Sequence, residues 1–368
     1  MIKSVKIRLI PNKTQENLLY KSANISRFVY NWTLNQQIEN YKNGGKFISD
    51  NELRKLITQL KKDELNFLNE VSNNVAKQSV KDCCDAYKKF FNKKAKFPRF
   101  KSKKKSRLSF YNDNCKLKFK ENKVLIEKVG WVKCNEPLTN QKFFNPRISF
   151  DNKYWYLSVG IEIDNLVEEL TGEVIGIDLG IKDLAIVSTN KVYKNINKCK
   201  NVKQVKKRLK RLQKQVSRKY NKNKEGHRYQ KTANIVKLEK QIRLLYRKLS
   251  NIRNNHLHQV TTEIVKTKPS QIQIEDLNIK GMMKNRHLSK AIAEQCLSTF
   301  VNYLTYKCEF YGIALVKIPR FYPSSKRCNC CGNIKSDLKL SDRIYKCQCG
   351  YVEDRDLNAS YNIRDWNN

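Results

Sequence analysis

Residues 173–190 read EVIGIDLGIKDLAIVSTN. An apolar run from Val174 to Ile177 reaches Asp178, the chain turns at Gly180, and a second apolar run follows from Leu184 to Val187. Short unbroken apolar runs around a turn read as a buried strand, a turn and a second strand. The stretch therefore opens an α/β unit, and what lies on either side of it is built differently.

Upstream, Val5, Ile7 and Leu9 alternate with polar residues in MIKSVKIRLIPNK, a strand that Pro11 ends. From about Thr14 to Phe91 the period becomes helical, as in SRFVYNWTLNQQIENY and NNVAKQSVKDCCDAYKKFF. The stretch NKKAKFPRFKSKKKSRLSF follows, dense in Lys and Arg with Phe97 and Phe100 interleaved, and reads as a phosphate-tracking loop carrying Arg99, Lys101 and Lys103. From about Leu108 to Ile163, short strand signals separated by turns suggest a small barrel or sandwich that the first strand joins.

Downstream, residues 201–266 are the most regular part of the chain. Val202, Val205, Leu209, Leu212 and Val216 keep 3-4 spacing, as do Ile235, Leu238, Ile242, Leu245, Leu249 and Ile252 beyond a polar stretch holding Gly226. Two antiparallel helices with paired apolar seams account for this. Their other faces are mostly Lys and Arg, which suits a hairpin laid against a nucleic-acid backbone.

The bulk charge agrees. Lys and Arg number 75 against 34 acidic residues in 368, a formal charge of +41. Such a surplus repels itself unless a polyanion neutralises it, and nucleic acid is the expected partner ahead of an anionic membrane surface. No run approaches the roughly 18 apolar residues of a membrane span, and the N-terminus has no apolar signal core. The chain is expected in a prokaryotic cytoplasm, associated with the nucleoid. In that reducing compartment its twelve cysteines are not a disulfide framework. With four histidines and no nucleophile setting, triad hydrolysis is excluded, and no G-x-x-x-x-G-K-[ST] exists for a P-loop motor. His256 and His258, two apart on a helix, point to different faces and do not form a ligand pair.

Five cysteines crowd into residues 328–349. Cys328-x-x-Cys331-Gly and, fifteen residues later, Cys347-x-Cys349-Gly form two knuckles whose four thiolates meet zinc's tetrahedral preference. The second knuckle is short by one residue, and Cys330 is a spare that could replace a ligand of the first. An iron–sulfur cluster is the alternative occupant. A closed set of four ligands makes this metal structural.

Three carboxylates sit where strands or a helix start would present them: Asp178 after VIGI, Glu275 after QIQI, and Asp356 in DRDLNAS. Each alone is ordinary, and GIDLG also occurs in sugar-kinase and actin-like ATPases, whose further glycine-rich loops are missing here. In combination, GIDLGIKDLAIVS, IEDLNIKGMMKNRHLSKAI, FYGIALVKIPRFYPSSKRCNCCG and DRDLNASYNI resemble, in order, the core of the TnpB-type proteins of insertion sequences, relatives of the compact type V CRISPR nucleases. The resemblance is close over residues 172–363 and looser at RFVYNWTLNQ and FPRFKSKKK. This chain departs from the family in its short second knuckle and in Ser360, where Ala is usual.

The resemblance implies a multidomain α+β and α/β protein. Residues 1–12 would be the first strand of a wedge β-barrel, 13–105 a helical recognition domain, and 106–168 the rest of the barrel. Residues 169–325 would be a RuvC-like nuclease of ribonuclease-H fold with the basic hairpin at 201–266, interrupted by a zinc ribbon at 326–350 and completed by 351–368. It implies Asp178, Glu275 and Asp356 as catalytic ligands of Mg²⁺, with two ions, and Asp354 as a non-ligand. It implies one structural zinc on Cys328, Cys331, Cys347 and Cys349, a transposon-end guide RNA, and double-stranded target DNA with a short flanking motif. One RNA per protein monomer is the expected assembly. The activity implied is RNA-guided DNA cleavage; a guided repressor without cleavage, or a transposition accessory protein, are the rival readings. A transposase relay of Tyr with His-x-His is not evident. Flanking-motif reading is expected on the helix SNNVAKQSVKD, where Asn74, Lys77 and Gln78 lie within one turn.

Overall fold

The computed structural model describes residues 1–103, 105–164, 169–339 and 341–366. The chain divides into two compact units, Met1–Ile163 and Asp164–Asn368. The boundary expected at 168 lies outside the described residues.

The first unit begins with strand β1 (Ile2–Ile10), followed by helices α1 (Lys13–Lys42), α2 (Asp50–Leu60) and α3 (Asn73–Phe91). Strands β2 (Ser109–Tyr111), β3 (Lys118–Lys120), β4 (Lys123–Ile126), β5 (Gly130–Cys134), β6 (Phe143–Phe150) and β7 (Trp155–Glu162) complete it. Pro11, which can donate no ladder hydrogen bond, separates β1 from α1. Asn12 then caps α1 in a capping box with Gln15, and Ser49 does the same for α2 with Glu52. β1 pairs antiparallel with β7 in a register that aligns Val5 with Val159, Ile7 with Leu157 and Leu9 with Trp155. Alternate residues thus enter one core, where Ile7, Leu9 and Trp155 meet Leu19, Val29, Leu53 and Val75 of the helices.

The strand order is β2-β6-β7-β1-β5-β4-β3. The barrel anticipated for these strands is therefore an open seven-stranded sheet, with β2 and β3 as unpaired edges. Alternation had marked a buried face but could not specify closure. Closure needs the two edges to pair along their length. Each edge is three residues long, and α1 and α3 pack against β2.

The second unit holds β8 (Thr171–Leu179), β9 (Asp183–Val187), β10 (Lys191–Lys194), α4 (Lys200–Lys222), the two-residue strands β11 (Lys224–Glu225) and β12 (Arg228–Tyr229), and α5 (Ala233–Val265). Next come β13 (Pro269–Glu275), α6 (Ile279–Met282), α7 (Ser289–Gln295), α8 (Leu297–Tyr311), β14 (Ala314–Ile318), β15 (Ile344–Lys346), β16 (Val352–Asp354) and α9 (Arg355–Arg364). The main sheet runs β10-β9-β8-β13-β14. β8, β13 and β14 are parallel, while β9 and β10 run antiparallel to their neighbours. Central strands covered on both faces need continuous apolar runs, and β9 is buried at all five positions. Ile175 and Ile177 of β8 share a core with Leu257, Val260 and Ile264 of α5 and Phe300 and Leu304 of α8. α4 and the N-terminal half of α5 form the helical hairpin, its seam closed by Val202, Val205, Leu209 and Leu249. His258 stacks on Tyr303 with 3.9 Å between ring centroids, and His256 lies 3.1 Å from the Lys194 carbonyl.

Candidate active site and cysteine centre

Side chains on a strand alternate between faces, so Asp178 points to the same side of β8 as Gly176. That side faces α9, because a Cβ placed on Gly176 would meet the backbone of Ser360 and Arg364. On the neighbouring parallel strand, Gln273 pairs with Gly176 and Ile274 with Ile177. Glu275, the last residue of β13, therefore lies beside Asp178 on the α9 side. α9 packs on β8, β9 and β13, and Asp356 in its first turn is the third acid to arrive. All three residues are half-buried.

Electrostatics reports their convergence. Burial, then Glu275, then Asp356 push the Asp178 carboxyl well above its ordinary range, while Arg355 pulls it down. Burial also raises Glu275, against a hydrogen bond from Ser324. Asp356 accepts hydrogen bonds from Arg355 at 2.8 and 3.0 Å, and Arg343 stands 3.8 Å away. A buried carboxyl raised by two neighbouring acids belongs to a donor set that a hard divalent cation would relieve.

Asp354 has a different task. Its side chain accepts from the backbone amides of Asp356 at 2.9 Å and Leu357 at 3.2 Å, so it is the N-cap of α9. Two residues that the sequence reading passed over also shape the site. Gly176 lets α9 approach β8 closely. Ser324, buried, donates its hydroxyl to Glu275 and offers its carbonyl to Asn362 of α9 at 2.8 Å. The signal for Gly176 was a glycine inside an otherwise apolar strand, which marks close backbone approach; Ser324 carried no such signal.

The cysteines form a second centre. The sulfurs of Cys328, Cys331, Cys347 and Cys349 all lie within 4.8 Å of one another. Cys328 and Cys349 are 3.7 Å apart, and Cys331 and Cys347 3.6 Å. Four thiolates at about 2.3 Å around zinc span tetrahedral edges of about 3.8 Å, so this set fits the ion. Cys330 is exposed and outside the cluster. Gly332 and Gly350 take left-handed backbone (φ 74° and 88°) that closes the knuckles. The first knuckle is tied to α9: Asn358 and Asn362 donate to the Arg327 carbonyl at 2.8 and 2.6 Å, and the Asn329 amide donates to Asn358.

The proposed nucleic-acid contacts are scattered through the first unit. The Asn74 side chain donates to Glu127 at 3.1 Å and that of Gln78 to Asp82 at 2.9 Å, leaving Lys77 as the exposed member of the trio. Arg99 and Lys103 are exposed. Lys101 is half-buried, its ammonium 3.6 Å above the Tyr30 ring.

Residues 1–46 match a family described as a helix-turn-helix domain of OrfB from IS605, residues 158–286 its "Probable transposase" family, and residues 298–363 the Cas12f1-like TNB domain. Residues 13–42 form one uninterrupted helix here, not a helix-turn-helix. A Streptomyces pristinaespiralis protein named for RNA-guided DNA endonuclease activity is 30% identical over 367 residues, spanning 98% of this chain and 88% of its own. InsQ of Escherichia coli K12, named likewise, is 29% identical over 381 residues, with 98% and 91% covered. Among solved structures, Cas12f1 with its guide RNA and target DNA superposes with a TM-score of 0.61 at 13% identity, covering 99% of each chain. The mini RNA-guided endonuclease Cas-phi3 gives 0.52 at 10% identity, over 99% of this chain and 92% of that one. At these identities the two structures speak to the fold alone.

Proposed function

Because this chain belongs to the TnpB-type family of RNA-guided DNA endonucleases carried by insertion sequences, we propose that its three converging carboxylates cleave target DNA in a Mg²⁺-dependent, RNA-directed reaction. The observation that carries this reading is the convergence of the three acids at the β8–β13 edge, where Glu275 lies beside Asp178 in register and both Glu275 and Asp356 push the Asp178 carboxyl upward. The sheet order β10-β9-β8-β13-β14, with β9 alone running against the other four strands and the acids at adjacent strand ends, supports a RuvC-like ribonuclease-H arrangement.

Asp178, Glu275 and Asp356 would hold the magnesium, which when bound supplies an activated water and charge neutralisation at the scissile phosphate. The protein's own share is positional. Ser324 orients the Glu275 carboxylate, Asp354 fixes the first turn of α9, and Gly176 sets the depth at which α9 carries Asp356. Arg355 and Arg343 hold Asp356 in a cationic setting suited to an approaching phosphodiester. The four cysteines would bind one zinc that braces residues 324–329 against α9. Sequence choice is delegated to a guide RNA from the transposon end, pairing with one DNA strand, while the protein reads a short flanking motif. A chain of +41 with few base-reading side chains suits that division. One RNA per protein monomer and a nucleoid-associated location complete the reading. Among the described residues, no helix is long and apolar enough to cross a membrane.

The test is to sequence the RNA that co-purifies with the protein, replace its guide segment, and assay plasmid cleavage with and without Mg²⁺. Cutting should follow the new guide and require the metal. Cutting that ignores the guide, or none at all by a protein that binds its target, would refute the proposal.

A further inference from the structure

The motifs RFVYNWTLNQ and FPRFKSKKK play no part in the cleavage site, yet in the first unit they are built into one another. The Asn31 side chain donates to the Lys101 carbonyl at 2.9 Å and accepts from the Lys101 amide at 2.7 Å. The Lys101 ammonium lies over Tyr30. Two side-chain bonds to one backbone residue fix the strap, and behind it is a cavity of about 200 Å³.

Its lining is polar and unbalanced in charge: Arg27, Lys101, Arg107 and Arg147 face a single carboxylate, Asp82. That carboxylate is already taken, since Arg147 grips it with two bonds of 2.6 and 2.8 Å. A β-bulge between Phe144 and Arg147 breaks the alternation of β6 at this point. Burial would raise Asp82, but Arg147 and then Gln78 hold its carboxyl below the usual range. Arg107 spends one nitrogen on Ser149 at 2.7 Å. Arg27 Nη1 is buried and has no hydrogen-bond partner among the described residues. An unsatisfied buried guanidinium nitrogen costs free energy that an anion would recover.

We propose that this cavity is a phosphate socket, in which Arg27, Lys101 and Arg107 seize one backbone phosphate of a bound nucleic acid. Forked guanidiniums beside an ammonium match the tetrahedral oxyanion in shape and charge. The socket rests on the guided-nuclease reading only for the presence of a nucleic-acid partner, and its phosphate belongs either to the guide RNA or to the target DNA.

The experiment uses full-length protein and two arms: binding of the co-purified RNA sequence to RNA-free protein, and binding of target duplex to RNA-loaded protein, each across a salt series. The Arg27→Gln/Arg107→Gln double variant should lose about tenfold or more in one arm. Its salt slope there should fall by roughly 0.7 for single-stranded RNA or 0.9 for duplex DNA, the share of one phosphate. The arm affected identifies the source. Ser106→Asp guards against a folding artefact: it places an anion in the cavity, so it should raise the melting temperature while weakening the same arm. Unchanged affinity and slope in both arms, with wild-type binding intact, overturns the socket alone. Wild-type protein that binds neither RNA nor DNA overturns the guided-nuclease reading, and the socket with it.

Discussion

Replacing Gly176 by alanine tests whether α9 docking is what delivers the third carboxylate. The backbone at Gly176 is ordinary strand, so alanine meets no conformational strain there. In an uncrowded strand the exchange would stabilise by about 0.5–1 kcal/mol. Here the new Cβ would sit 2.9 Å from Arg364 Cα, and nearer still to the Ser360 carbonyl oxygen and the Arg364 amide. Carbon contacts settle at roughly 3.5–4.0 Å, so α9 must retreat by about 1 Å or more. Overpacking of that kind costs about 1–3 kcal/mol, and the sign of the stability change therefore reverses. The retreat carries Asp356 away from Asp178 and Glu275, and a misplacement of about 1 Å costs roughly 10²-fold in rate. Thermal melting and single-turnover cleavage should show a melting temperature lower by several degrees and a rate reduced about a hundredfold, with guided target binding retained. An alanine variant as stable and as fast as wild type would refute the docking argument.

Asp354→Asn should keep activity, because Asn caps a helix as well as Asp, whereas Asp354→Ala should lose about 1 kcal/mol in a denaturant melt and retain measurable cleavage. Cys347→Ser should abolish stoichiometric zinc in metal analysis and lower the melting temperature more than it changes RNA affinity, since the ligand energy is partly folding energy. Asp178→Asn should stabilise magnesium-free, zinc-replete protein at neutral pH. The folded Asp178 carboxyl titrates above its unfolded value, so the native state holds the extra proton and wild-type stability falls as pH rises past about 4. The variant's gain in calorimetry should therefore shrink toward pH 4, and Mg²⁺ should stabilise wild type but not the variant.

Much of the second unit was legible because β8 and β9 carry the unbroken apolar runs VIGI and LAIV, a pattern that strands covered on both faces sustain. Asp178 stands out at the end of VIGI, whereas Glu275 ends the alternating QIQI and stands out less. The cysteine spacing pointed to a set of thiolates able to hold a metal, and the geometry brings Cys328 and Cys331, not Cys330, together with Cys347 and Cys349. The position of Asp356 could not be read from periodicity, since DRDLNAS says where a helix starts and not where it docks. The docking is written in Gly176 and in the asparagines at 358 and 362, which look like ordinary polar residues until their partners are known. In the first unit, alternation was read as a barrel because it specifies one buried face without saying whether the edges meet. Lys101 was read as a phosphate contact of the basic loop, and composition, which counts its charge, could not show the Tyr30 ring beneath it.

The central claim is that the three carboxylates cut and do not bind. It is tested most directly by Asp356→Asn, assayed beside wild type for target gel shift and for cleavage on the same RNA-loaded preparations in Mg²⁺. The account predicts equal target affinity and no detectable cutting by the variant, against full cutting by wild type. Cleavage by Asp356→Asn at the wild-type rate, or a wild-type protein that shifts its target and leaves it intact, would contradict it.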